Sequence, residues 1–146
     1  MSLYPNSVAW SLFTTLSSDS TLVSSGVVVR LNEPLNSDPN LQPWLGVFAG
    51  EDVNIEPHRI GGGDPWRATY TLSIYAQVHG MEGGQLAVDA LHRLITPVIA
   101  AVKSNDTLDG TVDMITTMRI EPYQRAIDEE DWMFSDLITL NAEVDV

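Results

Sequence analysis

The stretch WRATYTLSIYAQV, residues 66–78, alternates between apolar and polar side chains almost without error. The apolar set consists of Trp66, Ala68, Tyr70, Leu72, Ile74, Ala76 and Val78. The polar set consists of Arg67, Thr69, Thr71, Ser73, Tyr75 and Gln77, and is continued by His79. Successive side chains of a strand point to opposite faces of a sheet, so the pattern predicts a long half-buried β-strand with a lightly charged polar face. We interpret it as the organising strand of the fold.

A long helix is predicted directly after this strand. Gly80 turns the chain, and the residues from Glu82 to Ser104 carry apolar side chains at helical spacing with polar ones opposite. Pro97 lies inside the pattern and removes one backbone hydrogen bond, so we expect the helix to kink there or to restart after Thr96. One long strand leading into one long helix indicates a small α+β domain.

Alternation and helical spacing recur in the rest of the chain. Four further strands are predicted, two long and two short, at 112–120, 137–146, 27–31 and 44–48. A first helix is predicted to be capped by Asn6 or Ser7 and to fray near 17–20. Alternation of apolar and polar residues, with one face buried and the other solvated, is typical of antiparallel sheets. The predicted fold class is α+β, with a mainly antiparallel sheet of long alternating strands packed on one side by two helices.

Long irregular connections separate these elements, at 32–43, 49–65 and 122–131. In the second, three glycines followed by Asp-Pro fit no regular element, although 53–60 is interpreted as an extended arm. This connection is either a mobile loop that orders on contact with a partner or an ordinary long hairpin connection. With 146 residues the whole chain, 1–146, fits a single domain around one core.

Composition excludes several classes of site. The chain has no cysteine, so disulfides, thiolate metal sites and thiol nucleophiles are excluded. Its first ten residues lack a basic region followed by an apolar one, and no run approaches the ~18 apolar residues of a membrane span. We therefore expect a soluble, unprocessed protein that does not associate with membranes.

The charge is strongly acidic, with seven Lys and Arg against twenty Asp and Glu and a formal net charge of −13. Binding to a phosphate backbone requires clustered cations, whereas these seven are scattered singly, so sequence-specific nucleic-acid binding is not expected. Two explanations of the acidity stand. It confers solubility, or it keeps DNA from sticking to a protein that lines a DNA passage.

No motif in the chain predicts catalysis, a cofactor or a metal ion. The three histidines have neither the helical nor the short loop spacing of metal ligands. The Gly61–Gly63 run is followed by Asp-Pro-Trp and a strand, unlike a phosphate-binding loop. The acidic run Asp128–Asp131 lacks the glycine and alternate ligands of a calcium loop and is interpreted as a solvated turn.

The polar side of the organising strand is the best candidate for a functional surface. Interfaces between subunits favour Tyr and Arg and are depleted in Lys and Glu, as this face is. We predict a subunit interface that includes Arg67, Thr69, Thr71, Tyr75, Gln77 and, on a neighbouring strand, Arg119. The alternative is a plain solvated sheet face.

The order of elements resembles that of the tail terminator, or tail completion, proteins of long-tailed bacteriophages. The resemblance rests on an N-terminal helix, a Pro/Asn-rich connection, a glycine-bearing loop, the strand WRATYTLSIYAQVHG, the helix GGQLAVDALHRLITPVIAAV and two closing alternating strands. It covers most of the chain. It implies a non-enzymatic α/β protomer that assembles into a hexameric ring, which caps the tail tube, stops its polymerisation and presents a surface for head joining.

The resemblance also implies partners and a location. The partners are further copies of the chain, the major tail tube protein and a head-completion or neck protein, while DNA passes through the lumen without specific binding. The location is the virion tail, and the host cytoplasm during assembly. Contacts with the tube or a neighbour, or the lining of the lumen, are predicted for Glu56, His58, Arg59, Asp64, Arg125, Asp128, Glu129, Glu130 and Asp131. The alternatives are another neck, head-completion or tail-tube protein, or a small-ligand-binding α+β module.

Overall fold

The fold combines three helices with one five-stranded sheet. It is seen in a computed structural model that describes residues 5–33, 43–57, 66–79, 84–127 and 132–145. The elements in chain order are α1 (Pro5–Ser17), α2 (Ser20–Ser24), β1 (Val28–Leu31), β2 (Trp44–Pro57), β3 (Trp66–His79), α3 (Gly84–Ser104), β4 (Met114–Ile127) and β5 (Trp132–Asp145).

The strand order in the sheet is β1-β2-β3-β5-β4, with β3 at its centre. β1 pairs with β2 in parallel, and every other pair is antiparallel. β5, the last strand in the chain, lies between β3 and β4, and all of its pairing is antiparallel. The predicted α+β class and the mainly antiparallel sheet are confirmed, and the organising strand lies at the centre of the sheet.

The core lies between the apolar side of the sheet and the helices. The apolar row of β3 is buried from Ala68 to Val78, and its members pair with buried residues of β5, such as Leu72 with Leu140. α1 packs against β1 and β2, whereas α3 packs against β3 and β5. Buried residues of all three helices join the same core cluster, so the helices lie on one side of the sheet.

The first helical region differs in detail from its prediction. α1 begins at Pro5, and Leu12 and Leu16 bury its apolar stripe as expected. Where fraying was predicted, a second short helix forms instead, because the Asp19 side chain accepts a hydrogen bond from the Leu22 backbone N–H at 3.1 Å. The buried side chain of Leu22 then fixes α2 to the core.

α3 is a single helix from Gly84 to Ser104 and does not restart at Pro97. One side packs on the sheet through residues such as Leu91 and Val98, which stabilises the helix across the missing hydrogen bond. By length and composition alone Gln85–Ser104 is apolar enough to cross a membrane, contrary to the sequence-based expectation. Its outer side, however, carries His92, Arg93 and Lys103, as in the core helix of an ordinary domain.

The hairpin strands are longer than predicted. β2 does not end at Phe48 but continues to Pro57 through a bulge between Ala49 and Val53. At this bulge a Cβ on Gly50 would lie 2.8 Å from the Thr71 carbonyl oxygen, so a glycine is needed for the close approach. β4 likewise continues to Ile127, and β5 begins at Trp132.

Because these strands are longer than predicted, the predicted location of two residues in loops is wrong. Glu56 and Arg125 lie on β2 and β4, not in loops. A bulge in each strand, between Ala49 and Val53 in β2 and between Pro122 and Gln124 in β4, interrupts the alternation near the predicted end of the strand and hides its continuation from a search for period two. The other predicted loop residues lie outside the described residues, namely His58, Arg59, Asp64, Asp128, Glu129, Glu130 and Asp131.

Candidate functional site

The side of the sheet opposite the helices, here called the open face, holds the polar row of β3 that the sequence singled out. Most of this row is exposed or half-buried, but Gln77 is only 2% exposed. The register places side chains of β2, β5 and β4 beside the row. The open face therefore divides into an ionic end, a polar middle and an aromatic end.

The ionic end is organised by Arg67. Its guanidinium donates to Glu143 at 2.9 Å and to Asp145 at 3.0 Å, so one cation joins two carboxylates of the neighbouring strand β5. The hydrogen bond to Asp145 is the main cause that raises the pKa of Arg67 above its ordinary value. The charge of Arg67 is thus compensated within the protomer.

The polar middle is a chain of hydrogen bonds across three strands. The Thr71 hydroxyl donates to Asn141 Oδ1 at 3.2 Å, and Asn141 Nδ2 donates to the Thr117 hydroxyl at 2.7 Å. The Thr116 hydroxyl also donates to the Asn141 carbonyl at 3.2 Å. Asn141 therefore connects β3 to the edge strand β4 across β5, and the predicted interface residue Thr71 has a partner in its own protomer.

The aromatic end contains three rings, here called the aromatic row: Phe48, Tyr75 and Tyr123. Tyr75 packs edge-on against Phe48 with centroids 5.3 Å apart, and against Tyr123 at 4.8 Å. Burial, followed by the proximity of Tyr123, raises the pKa of Tyr75. Tyr123 is still 49% exposed, so the row offers a large apolar surface with hydroxyl groups.

Tyr123 is the residue that sequence reasoning missed, because it lay in a predicted acidic loop. It occupies a bulge of β4 between Pro122 and Gln124, and from there it reaches Tyr75 on β3. Bulges re-aim side chains in this way. The available signal was the proline directly before the tyrosine, which marks an edge strand or bulge.

Two other predicted interface residues, Gln77 and Arg119, differ in burial. Gln77 Nε2 donates to the Met133 sulfur at 2.6 Å and lies 3.3 Å from His79 Nε2, in a buried position. Arg119 is the opposite case, with a side chain that is 74% exposed and an ion pair to Glu121 at 3.3 Å. Of the predicted interface residues, Arg119 and Tyr75 are thus those best placed to meet a partner at the aromatic end.

A cavity of about 310 Å³ lies on the helix side, between α2, α3 and the end of β3. Its walls are mainly apolar, and His79 and Arg93 are the ionisable groups in its lining. Within the described ranges, no group of three or more His, Asp or Glu side chains could hold a metal ion. Among the described residues, the lining of the cavity also includes the hydroxyl residue Ser25.

Comparisons with known proteins find likeness in structure and not in sequence. No protein-family model matches the chain, and no curated protein matches it in sequence. Among solved structures, a chain of the "Virion of native gene transfer agent (GTA) particle" is similar in outline, with a TM-score of 0.47 and 12% sequence identity. The match covers 99% of this chain and 100% of that chain.

Proposed function

We propose that this protein is a structural component of a phage-type virion and acts as a tail terminator. In this role, copies of the chain form a ring, hexameric as the resemblance implies, that caps the tail tube and stops its growth. The ring then presents a surface to a head-completion or neck protein. The protein acts in the virion tail, after assembly in the host cytoplasm.

The observation that carries the proposal is the composition of the open face. Its charged and amide groups are bonded to one another within the protomer, as in Arg67 with Glu143 and Asn141 with Thr117. What this face offers outward is the aromatic row, with Tyr123 about half exposed, together with the Arg119 side chain, which is 74% exposed. Aromatic anchors beside paired polar groups are typical of protein–protein contacts. The open face is therefore suited to contact another subunit.

The element order supports the choice of the terminator among virion proteins. The first helix, the strand Trp66–His79, the long helix and the two closing strands on which the resemblance rests are all present, and the helices lie on one side. The acidic charge of −13 fits a lumen through which DNA passes without binding. In this proposal the open face around Arg67 and Tyr75 contacts a neighbouring protomer.

Electron microscopy of the purified chain, alone and with growing tail tubes, tests the proposal. We expect closed six-fold rings, and tubes that stop growing when the protein is added. Tyr123→Ser, on the aromatic row, is expected to prevent ring formation. Leu86→Ser, which removes a side chain of similar exposure (51%) from the helix side, is the matched control. Open tubes formed by the chain itself would instead indicate a tail-tube protein.

The lumen hypothesis has a separate test. Replacing Asp128, Glu129, Glu130 and Asp131 by Asn and Gln removes four negative charges from the connection between β4 and β5. If this connection lines the lumen, DNA passage is hindered while rings still assemble, because the neutral wall no longer repels the DNA phosphates. Unchanged infectivity of the variant virion counts against this assignment.

The cavity favours one second candidate, a small-ligand-binding module. Its apolar walls with Arg93 and His79 suit an apolar molecule that carries an anionic group. Soaking the protein with medium-chain fatty acids and measuring the melting temperature tests this candidate. A rise in melting temperature with added ligand supports a ligand-binding module, whereas no change at any concentration argues against it.

A further inference from the structure

The inner side of edge strand β4 lies beyond the helix layer. α1 lies over β1 and β2, and α3 over β3 and β5, so β4 continues the sheet past both helices. Three of its apolar side chains point to the helix side, opposite buried residues of β5. Ile115 and Met118 are only half-buried, and Ile120 is 42% exposed.

The uncovered residues border a groove. Ile115 and Met118 line a space of about 240 Å³ beside the last turns of α3, far larger than the ~30 Å³ of one water molecule. Its lining also includes the buried Val102 and the polar residues Lys103, Asp106, Thr116 and Thr117. We call Ile115, Met118 and Ile120 the β4 patch. In a sheet packed by helices such a patch needs a further apolar element to cover it.

An apolar element of this kind is present at the other edge of the same sheet. Trp10 of α1 is 58% exposed and stacks on Phe13 at 5.4 Å. On the side of α1 towards α3, the Thr15 hydroxyl accepts a hydrogen bond from Asn105 at 2.9 Å. At 100° per residue, Trp10 and Phe13 are turned by about 140° and 200° from Thr15, so they lie on the flank of α1 away from α3. We call Trp10 and Phe13 the α1 flank.

The charge distribution sets α1 apart from an ordinary surface helix. None of its 13 residues is charged, whereas the chain as a whole carries seven basic and twenty acidic residues. Surface helices usually have a charged outer face. The centres of protein interfaces are depleted in charge and enriched in Trp. The exposed side of α1 therefore has the composition of an interface, not of a solvated surface.

We propose that the α1 flank of one copy packs on the β4 patch of the next copy. The two patches lie on the same side of the sheet and at opposite edges, so the neighbour's helix takes the place over β4 that none of the protomer's described helices fills. Contacts between two different patches are heterologous, and they propagate head to tail into a ring or a filament. This inference rests on the proposed function and adds a part on the helix side to the contact between neighbouring protomers in the ring.

Two complementary variants test the contact. Trp10→Glu places a charge on the α1 flank, and Ile120→Glu places one in the β4 patch. Each variant alone is expected to associate at least about 30-fold more weakly than the wild type, the factor that matches the ~2 kcal/mol of an interface hot spot. An equimolar mixture is expected to form a dimer that grows no further. The reason is that Trp10→Glu keeps an intact β4 patch and Ile120→Glu keeps an intact α1 flank.

Sedimentation velocity of the full chain measures these species, and circular dichroism confirms that each variant folds. Leu86→Glu, at an exposed position outside both patches, is the control and is expected to assemble like the wild type. Full assembly of either variant, no dimer in the mixture, or a monomeric wild type overturns the inference. If rings that cap tubes form regardless of both variants, the proposed function stands without this contact. If wild-type assemblies depend on both patches but do not stop tube growth, the contact stands and the terminator role does not.

Discussion

The indole ring of Trp44 lies directly over Gly46, two residues further along β2 on the open face. A Cβ at Gly46 would lie 2.6 Å from Trp44 Cζ3 and 3.1 Å from Phe48 Cε2. Trp44 is only 1% exposed, so its ring has no free space into which it can turn. The absence of a side chain at Gly46 therefore leaves the space in which the Trp44 ring is buried.

We expect Gly46→Ala to destabilise the protein by about 1–3 kcal/mol, the usual cost of overpacking. Urea denaturation measures the free energy of unfolding. The same substitution in a Trp44→Leu background is the control, because the smaller side chain leaves room for the added methyl group. An equal loss in both backgrounds would contradict the steric explanation.

Asn141 is expected to stabilise the pairing of β3, β5 and β4 through its hydrogen bonds. Asn141→Ala removes the acceptor for Thr71 and the donor to Thr117, and should lower the free energy of unfolding by about 0.5–1.5 kcal/mol. Thr139→Ala, on the same strand and the same face, is the matched control and is expected to change stability by less than about 0.5 kcal/mol. Denaturation curves that coincide for the two variants would refute the assigned role.

Arg67 is expected to stabilise the fold by an amount that depends on the salt concentration. In Arg67→Gln, Glu143 and Asp145 lose their shared cation and repel one another at the end of an acidic sheet. We expect a lower melting temperature at low ionic strength, and a difference from the wild type that shrinks as salt screens the carboxylates. Arg119→Gln is the control, since the Arg119 side chain is 74% exposed. A difference that does not depend on salt would point to lost packing instead.

Stability is expected to fall at alkaline pH because of buried tyrosines. Burial raises the pKa of Tyr70 and Tyr75 above the ordinary value of 10.0, so the folded state holds their protons more tightly than the unfolded chain does. Their contribution is fully present below pH 10.0 and is lost as pH rises through the raised pKa values.

Tyr75→Phe keeps the ring in the aromatic row and removes one of these titrations. Its free energy of unfolding should therefore decline less steeply with pH above 10.0 than that of the wild type. Urea denaturation at a series of pH values measures the two slopes. Identical slopes would show that Tyr75 holds its proton no more tightly in the folded state than in the unfolded chain.

Local patterns predicted the elements whose periodicity is unbroken. The row from Ala68 to Val78 lies in the core as the alternation of β3 indicates, and α3 follows at its predicted place. β2 and β4 were predicted too short because bulges interrupt their alternation. The bulge between Ala49 and Val53 adds two residues to β2, and the bulge between Pro122 and Gln124 adds one residue to β4. Pro122 is a local signal for the bulge in β4, but the number of residues that a bulge adds depends on the partner strand and cannot be read from one stretch of sequence.

The candidate site was predicted only in its location. The polar row of β3 does face away from the helices, but which of its members have partners depends on β5, whose register no local pattern reveals. Arg67 meets Asp145 and Thr71 meets Asn141 across 78 and 70 residues of sequence. The contact of Tyr75 with Tyr123 was hidden for the same reason, because two strands that are not adjacent supply the rings.

The position of β5 between β3 and β4 also affects synthesis of the protein on the ribosome. β3 can pair with β2 as a hairpin soon after both are made, but its other edge stays open until residues 132–145 leave the exit tunnel. Until then the nascent chain exposes a long apolar strand edge, which is the kind of segment that aggregates. Non-local pairing of this kind also folds slowly. We therefore expect the last fourteen-residue strand to be the one whose truncation most reduces the soluble yield of the protein.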